Sequence, residues 1–168
     1  MLFTTPNPII LQFLEQTANN PDPKTRELCF LLLKEMTESI GTHWKEHVHA
    51  LFHLFSGVLQ KPEDGAVQKA AVTALGQLLS FWCEDAELQV ISPLLPNLLQ
   101  VSAHHNDEDV LRSVLDVLYD LAYSTSTGLL PHVPVCLEFS LAILQDRNQD
   151  LRIRDSAALV IATTAEAK

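Results

Sequence analysis

Asp150-Leu151-Arg152-Ile153-Arg154-Asp155-Ser156-Ala157-Ala158-Leu159-Val160-Ile161 carries apolar side chains three, seven, ten and eleven residues after its opening aspartate. That spacing is the buried stripe of an α-helix turning every 3.6 residues. The same register opens at Asp22, Asp64 and Asp107, so that the four aspartates stand 42, 43 and 43 residues apart. Position +3 reads Thr25, Val67, Val110 and Ile153, and position +7 reads Cys29, Ala71, Val114 and Ala157. Positions +10 and +11 read Leu32-Leu33, Ala74-Leu75, Val117-Leu118 and Val160-Ile161. A helical register recurring at a fixed period of this length marks a solenoid, in which each unit buries its stripe against its neighbours. The expected fold is all-α: a right-handed α-solenoid of about four helical hairpins over residues 1–41, 42–83, 84–126 and 127–168. All four belong to a single domain, with the look of a fragment of a longer array.

Working outward from these second helices, the segments before them read as partner helices. The first runs from about Ile9 to Gln16 and leads through Asn19-Asn20-Pro21-Asp22-Pro23 into a helix from about Lys24 to Ser39. That helix is expected to stop at Gly41 in a left-handed cap. Thr42 is then the expected N-cap of a helix from His43 to Leu59, and Ala66 to Trp82 the second helix of that unit. The next first helix, about Ala86 to Ser102, contains Pro93 and Pro96, and its counterpart in the last unit contains Pro131 and Pro134. Proline removes a helix hydrogen bond and crowds the preceding turn, so these helices are expected to kink or to begin only at their prolines. The second helices, nearly free of proline, are expected to form the regular inner layer and to line a concave side.

Composition narrows the functional classes. Among 168 residues, 21 acidic side chains outnumber 11 basic ones, for a formal net charge of −10. Direct binding to a nucleic-acid backbone needs clustered Lys and Arg, and this balance points instead to a basic protein partner. No apolar run approaches the roughly 18 residues of a membrane span, and no leader pattern is visible, so a soluble, non-secreted chain is expected. The three cysteines have no regular spacing, and Cys29 at +7 reads as a small core residue.

The exposed stripe of each second helix should fall at +5, +9, +13 and +16. Position +13 holds Glu35, Gln77, Asp120 and Thr163, position +16 holds Glu38, Ser80, Tyr123 and Glu166, and position +9 holds Leu31, Thr73, Asp116 and Leu159. The third unit thus presents Asp109, Asp116 and Asp120 along one helix, with Tyr119 and Tyr123 beside them. Carboxylates interleaved with aromatic rings suit an extended basic segment through charge pairing and cation–π contact. The candidate partner-binding residues are therefore Glu35, Glu38, Asp109, Asp116, Tyr119, Asp120, Tyr123 and Glu166, with Lys69 and Arg112 at +5 diluting the charge.

Other chemistry finds no footing. His43, His47, His49 and His53 form two i,i+4 pairs that diverge around the helix, and no cysteine or carboxylate completes a tetrahedral metal set. His104-His105 lies in a polar turn and reads as surface. There is no Gly-x-Ser-x-Gly and no phosphate-cradling glycine loop, so neither an enzyme nor a bound cofactor is expected.

The units resemble the HEAT repeat, whose second helix opens with Asp, a β-branched residue and Arg. Asp22-Pro23-Lys24-Thr25-Arg26 and Asp150-Leu151-Arg152-Ile153-Arg154 keep Arg at +4, whereas Gln68 and Leu111 stand there in the middle units. Over residues 24–168 the order of motifs is similar to the importin-beta (karyopherin-beta) superfamily. The resemblance is carried by Lys24 to Leu32 with Glu38-Ser39-Ile40-Gly41, by Ile91-Ser92-Pro93-Leu94-Leu95-Pro96-Asn97-Leu98-Leu99, and by Val114 to Leu121 followed by Leu129-Leu130-Pro131-His132-Val133. It implies a nuclear transport receptor present in cytoplasm and nucleus. Such a receptor wraps basic cargo on an acidic inner surface, releases it to the Ran GTPase and holds phenylalanine-glycine nucleoporins between outer helices. The nearest flavour is the subgroup that carries ribosomal proteins and histones. The alternative is a HEAT-repeat scaffold or regulatory subunit of a multiprotein complex.

Overall fold

The computed structural model describes residues 8–60, 64–81, 85–123 and 127–166, and their side chains apart from those of residues 8, 38–43, 81, 85–86 and 127–128. Nine α-helices account for most of the described residues: α1 (Pro8–Ala18), α2 (Pro23–Ile40), α3 (Val48–Leu59), α4 (Gly65–Phe81), α5 (Asp85–Ile91), α6 (Leu95–His105), α7 (Glu108–Tyr123), α8 (Val133–Gln145) and α9 (Leu151–Glu166). Three 3-10 segments join them, at Gly41–His47, Ser92–Leu94 and Thr127–His132. The periodic aspartates explain where the second helices start, because each one caps the helix that follows it. The amide and hydroxyl of Thr25 donate to Asp22 Oδ2 at 3.1 and 2.8 Å. The amides of Ala66, Val110 and Arg152 donate to the carboxylates of Asp64, Asp107 and Asp150 at 2.9, 3.2 and 2.8 Å. All four aspartate carbonyls accept the first bond of their helix, from the amides of Arg26, Gln68, Leu111 and Arg154. A side-chain oxygen at this position satisfies an amide the helix itself leaves unpaired.

Prolines shape the first helices as expected. The helix of the third unit breaks at the 3-10 turn holding Pro93, and α6 restarts with Pro96 in its first turn. In the last unit Pro131 sits inside the 3-10 segment and α8 begins beside Pro134. The expectations at Gly41 and Thr42 need correction. No described glycine has positive φ, and α2 passes at Gly41 straight into a 3-10 segment that runs to His47. The following α-helix begins only at Val48, so Thr42 does not cap it. Trp44, fully buried within this segment, gives the tightened backbone its anchor in the core. The Ala66–Trp82 expectation starts one residue late, because α4 begins at Gly65, and Trp82 lies outside the described residues.

The second helices stack as one continuous layer, α2 on α4, α4 on α7 and α7 on α9, with the first helices packed on its other side. Positions +7 and +11 supply the core of that layer: Cys29, Ala71, Val114 and Ala157 are buried, as are Leu33, Leu75 and Leu118, whereas Ile161 at +11 of the last unit and Thr25 at +3 of the first are only half-buried, in correction of the expected stripe. Position +10 behaves differently in one unit, because Leu32 is 42% exposed whereas Ala74, Val117 and Val160 are buried. The arginines at +4 serve their own unit: Arg26 Nη1 donates to the carbonyls of Asn20 and Pro21 at 2.7 and 3.0 Å, and Arg154 Nε to that of Leu144 at 3.0 Å. Links between units come from other residues. Lys69 Nζ bonds Asp107 Oδ2 at 2.5 Å across the α4–α7 junction, and His105 Nε2 lies 3.1 Å from Gln68 Oε1. His105 is accordingly half-buried, in correction of its assignment to the surface.

Candidate partner-binding face

Helix α7 is the element on which the candidate residues gather. Its buried side chains, among them Val110, Val114, Val117, Leu118 and Leu121, hold it between α4 and α9. The remaining positions therefore face outward, and Asp109, Asp116, Asp120 and Tyr123 are all exposed, Tyr123 by 76%. Tyr119 is half-buried and stacks on Tyr123 with ring centroids 6.1 Å apart and planes 23° from parallel. Partial burial pushes the Asp116 carboxyl above its usual value. The neighbouring Asp120 carboxylate pushes the same way, and the Arg112 guanidinium opposes both. A cationic side chain placed between Asp116 and Asp120 would relieve that repulsion.

The other candidates do not join this cluster. Glu35 is exposed on α2, but α4 lies between α2 and α7 and offers Thr73, Gln77 and Ser80 at the corresponding positions. Two helix spacings of 8–10 Å place Glu35 about 20 Å from the α7 carboxylates, beyond the Debye length of about 8 Å at physiological salt. Glu166 is exposed near the end of α9, which packs on α7. The side chain of Glu38 lies outside the described residues. The negative face is thus a patch centred on α7. Between α2 and α4 the surface carries a shallow groove of ≈ 280 Å³ lined by Glu27, Leu31, Lys34 and Lys69, of mixed sign.

Two features escaped the sequence reading. A groove of ≈ 470 Å³ lies between α1 and α3, bordered by Glu15, Asn19, Asn20, Arg26, His53 and Gly57. Its walls come from three separate segments, so no local spacing announces it. The second feature is the bridge from Lys69 to Asp107, 38 residues away; its only advance signal is a cation at +5 in one unit and an aspartate opening the next. Among the described residues, no three of His, Cys, Asp or Glu come together as a metal site, and no helix is long and apolar enough to cross a membrane.

The family model described as IPO5-like, TPR repeats, matches residues 7–139. The chain belongs to this family. That membership agrees with the importin-beta resemblance carried by the Arg26–Glu27 helix and the Pro93/Pro96 segment. The family's description speaks of TPR units, which repeat about every 34 residues, whereas this IPO5-like chain repeats every 42 or 43, the length of a HEAT unit. A comparison with curated proteins returns no match.

Proposed function

We propose that this IPO5-like chain is a segment of a nuclear transport receptor and binds basic protein cargo through α7. The observation that carries the reading is the set of three exposed carboxylates, Asp109, Asp116 and Asp120, aligned on one helix beside the exposed ring of Tyr123. The cation of a lysine or arginine side chain would pair with the carboxylates while its stem lies on the tyrosine. Confinement of the charge to α7 favours a short basic segment, with Thr73, Gln77 and Thr163 on the flanking helices supplying neutral hydrogen-bonding partners. On this reading the layer of second helices is the concave cargo-facing side. Ran and phenylalanine-glycine nucleoporins are the further partners, cytoplasm and nucleus the working compartments, and proteins of the ribosomal or histone type the cargo class. Binding and release, without catalysis, are its work, and nucleic acid is not a direct ligand.

The test is a titration with a lysine-rich import-signal peptide and a scrambled peptide of equal charge, at low and at physiological salt. Preference for the signal peptide that survives salt is expected, because a shaped site resists screening better than diffuse attraction does. Reversal of Asp116 and Asp120 to lysine should weaken binding at least tenfold, about 1.4 kcal/mol, while leaving the helical content intact. Equal, salt-erased binding of both peptides would refute cargo recognition here and favour a HEAT-repeat scaffold or regulatory subunit.

A further inference from the structure

The groove between α2 and α4 has walls of unlike character. Glu27, Leu31 and Lys34, at positions +5, +9 and +12, form the α2 wall, and Ala66, Lys69, Ala70 and Thr73 form the α4 wall, around ≈ 280 Å³. Residues spaced by four and by three share one face of a helix, so a carboxylate, an apolar side chain and an ammonium follow one another along α2. At 1.5 Å per residue the two charged positions stand about 10 Å apart along the axis. Leu31, between them, is 40% exposed. Glu27 and Lys34 are each half-buried, and among the described residues neither side chain makes a hydrogen bond or an ion pair. Lys69, in contrast, is bonded to Asp107 of the next unit. The order is peculiar to α2: the same three positions hold Lys69, Thr73 and Gly76 on α4, Arg112, Asp116 and Tyr119 on α7, and Asp155, Leu159 and Ala162 on α9.

A ligand complementary to this wall presents a cation, an apolar side chain and a carboxylate in that order on one face, over about 10 Å. An extended strand advances about 3.3 Å per residue and turns its third residue onto the opposite face, so it cannot offer both charges to the groove. A helix can, because its residues i and i+7 lie about 10 Å apart on one face with i+3 and i+4 between them. The short side chains of Ala66, Ala70 and Thr73 on the α4 wall leave room for such a row. We infer that the α2–α4 groove receives an amphipathic helix of a partner protein, with a basic residue on Glu27, apolar residues on Leu31 and an acidic residue on Lys34. This site goes beyond the α7 reading and does not depend on it. The two surfaces ask for different chemistry: the α7 carboxylates suit a segment of one sign, whereas the groove requires one charge of each sign.

Three fluorescent peptides of about 15 residues, alanine-based and stapled so that they stay helical, test the proposal. All carry leucine at i+3 and i+4, and they differ at i and i+7: lysine with glutamate, lysine at both, or glutamate at both. The parent chain should bind the mixed peptide at least about threefold more tightly than the all-lysine one. That order cannot come from the long-range field of a chain with net charge −10, which favours the all-lysine peptide. Glu27→Lys should move the preference to the all-glutamate peptide and Lys34→Glu to the all-lysine one, with circular dichroism confirming that both variants are folded. The chain carrying Asp116→Lys and Asp120→Lys should bind the mixed peptide as the parent does, which keeps this result apart from that of the cargo titration. A parent preference for the all-lysine peptide, preferences that neither reversal moves, or no binding of any of the three would overturn the proposal. Self-association of the parent in sedimentation velocity that Lys34→Glu abolishes would overturn it too, by seating a second α2 in the groove.

Discussion

Asp107 and Asp116 stand nine residues apart at the start and in the middle of one helix, and they respond to acid in opposite senses. The hydrogen bond from Lys69, followed by that from the Val110 amide, holds the Asp107 carboxyl below its ordinary value of 3.8. Its contribution is fully present above that value and is lost as pH falls through the folded pKa. Burial and Asp120 raise the Asp116 carboxyl above 3.8. Between 3.8 and its folded pKa the native state binds more protons than the unfolded chain, so stability gains as pH falls through that window. At neutral pH, Asp107→Ala should therefore lower stability by about 0.5–2 kcal/mol through loss of the cap, whereas Asp116→Asn should raise it slightly. Thermal melts between about pH 3 and 7 check both signs, and a stabilising Asp107→Ala would refute the capping argument. On the proposed cargo reading, Asp116→Asn should also weaken binding of the basic peptide, a loss of affinity set against the gain in stability.

At the scale of helices, the close approach of α4 and α7 is set by Gly76. A methyl there meets Ser113 Oγ and Val117 Cγ2 at distances shorter than ordinary contact, while alanine in a helix interior is favoured over glycine by up to about 1 kcal/mol. The two effects should nearly cancel in Gly76→Ala. Removing the hydroxyl first, in a Ser113→Ala background, should let the propensity gain emerge as a higher melting temperature. Gly76→Leu should cost about 1–3 kcal/mol by forcing the helices apart, and a neutral result for that variant would show that the junction is loose. This junction also shows where legibility ends. The four aspartates, the stripe at +7, the burial of Leu33, Leu75 and Leu118 at +11 and the exposure of Asp116, Asp120 and Tyr123 follow from helical period, since each depends on a residue's own helix. Leu32 was misplaced because burial at +10 depends on a neighbouring unit, and His105 because its partner Gln68 lies 37 residues away. The 3-10 passage from Gly41 to His47 has no counterpart in the local spacing: the chain does not stop at the glycine, and Trp44 within the passage is fully buried.

For the whole molecule, stability is a sum of unit and junction terms, and a unit with one junction opens more readily than a unit with two. Leu33 and Leu118 occupy the same position, +11, and both are almost completely buried. The helix of Leu33 packs on α4 alone among the second helices, whereas that of Leu118 is held between α4 and α9. Truncation to alanine should cost about 2–5 kcal/mol at either site, yet the consequences should differ. Leu118→Ala weakens a unit that couples both neighbours, so it should lower the cooperative transition of the entire chain, by at least about 4 °C. Leu33→Ala should release α1 and α2 first, leaving the remaining units protected. Native-state hydrogen exchange distinguishes the two, because local opening removes protection only from the segment that opens. Loss of protection confined to residues 8–40 in Leu33→Ala, against a uniform loss in Leu118→Ala, is the expected pattern. Uniform loss in both would mean that the units open as a single cooperative body, and that the junction between α2 and α4 is as strong as the interior of either unit.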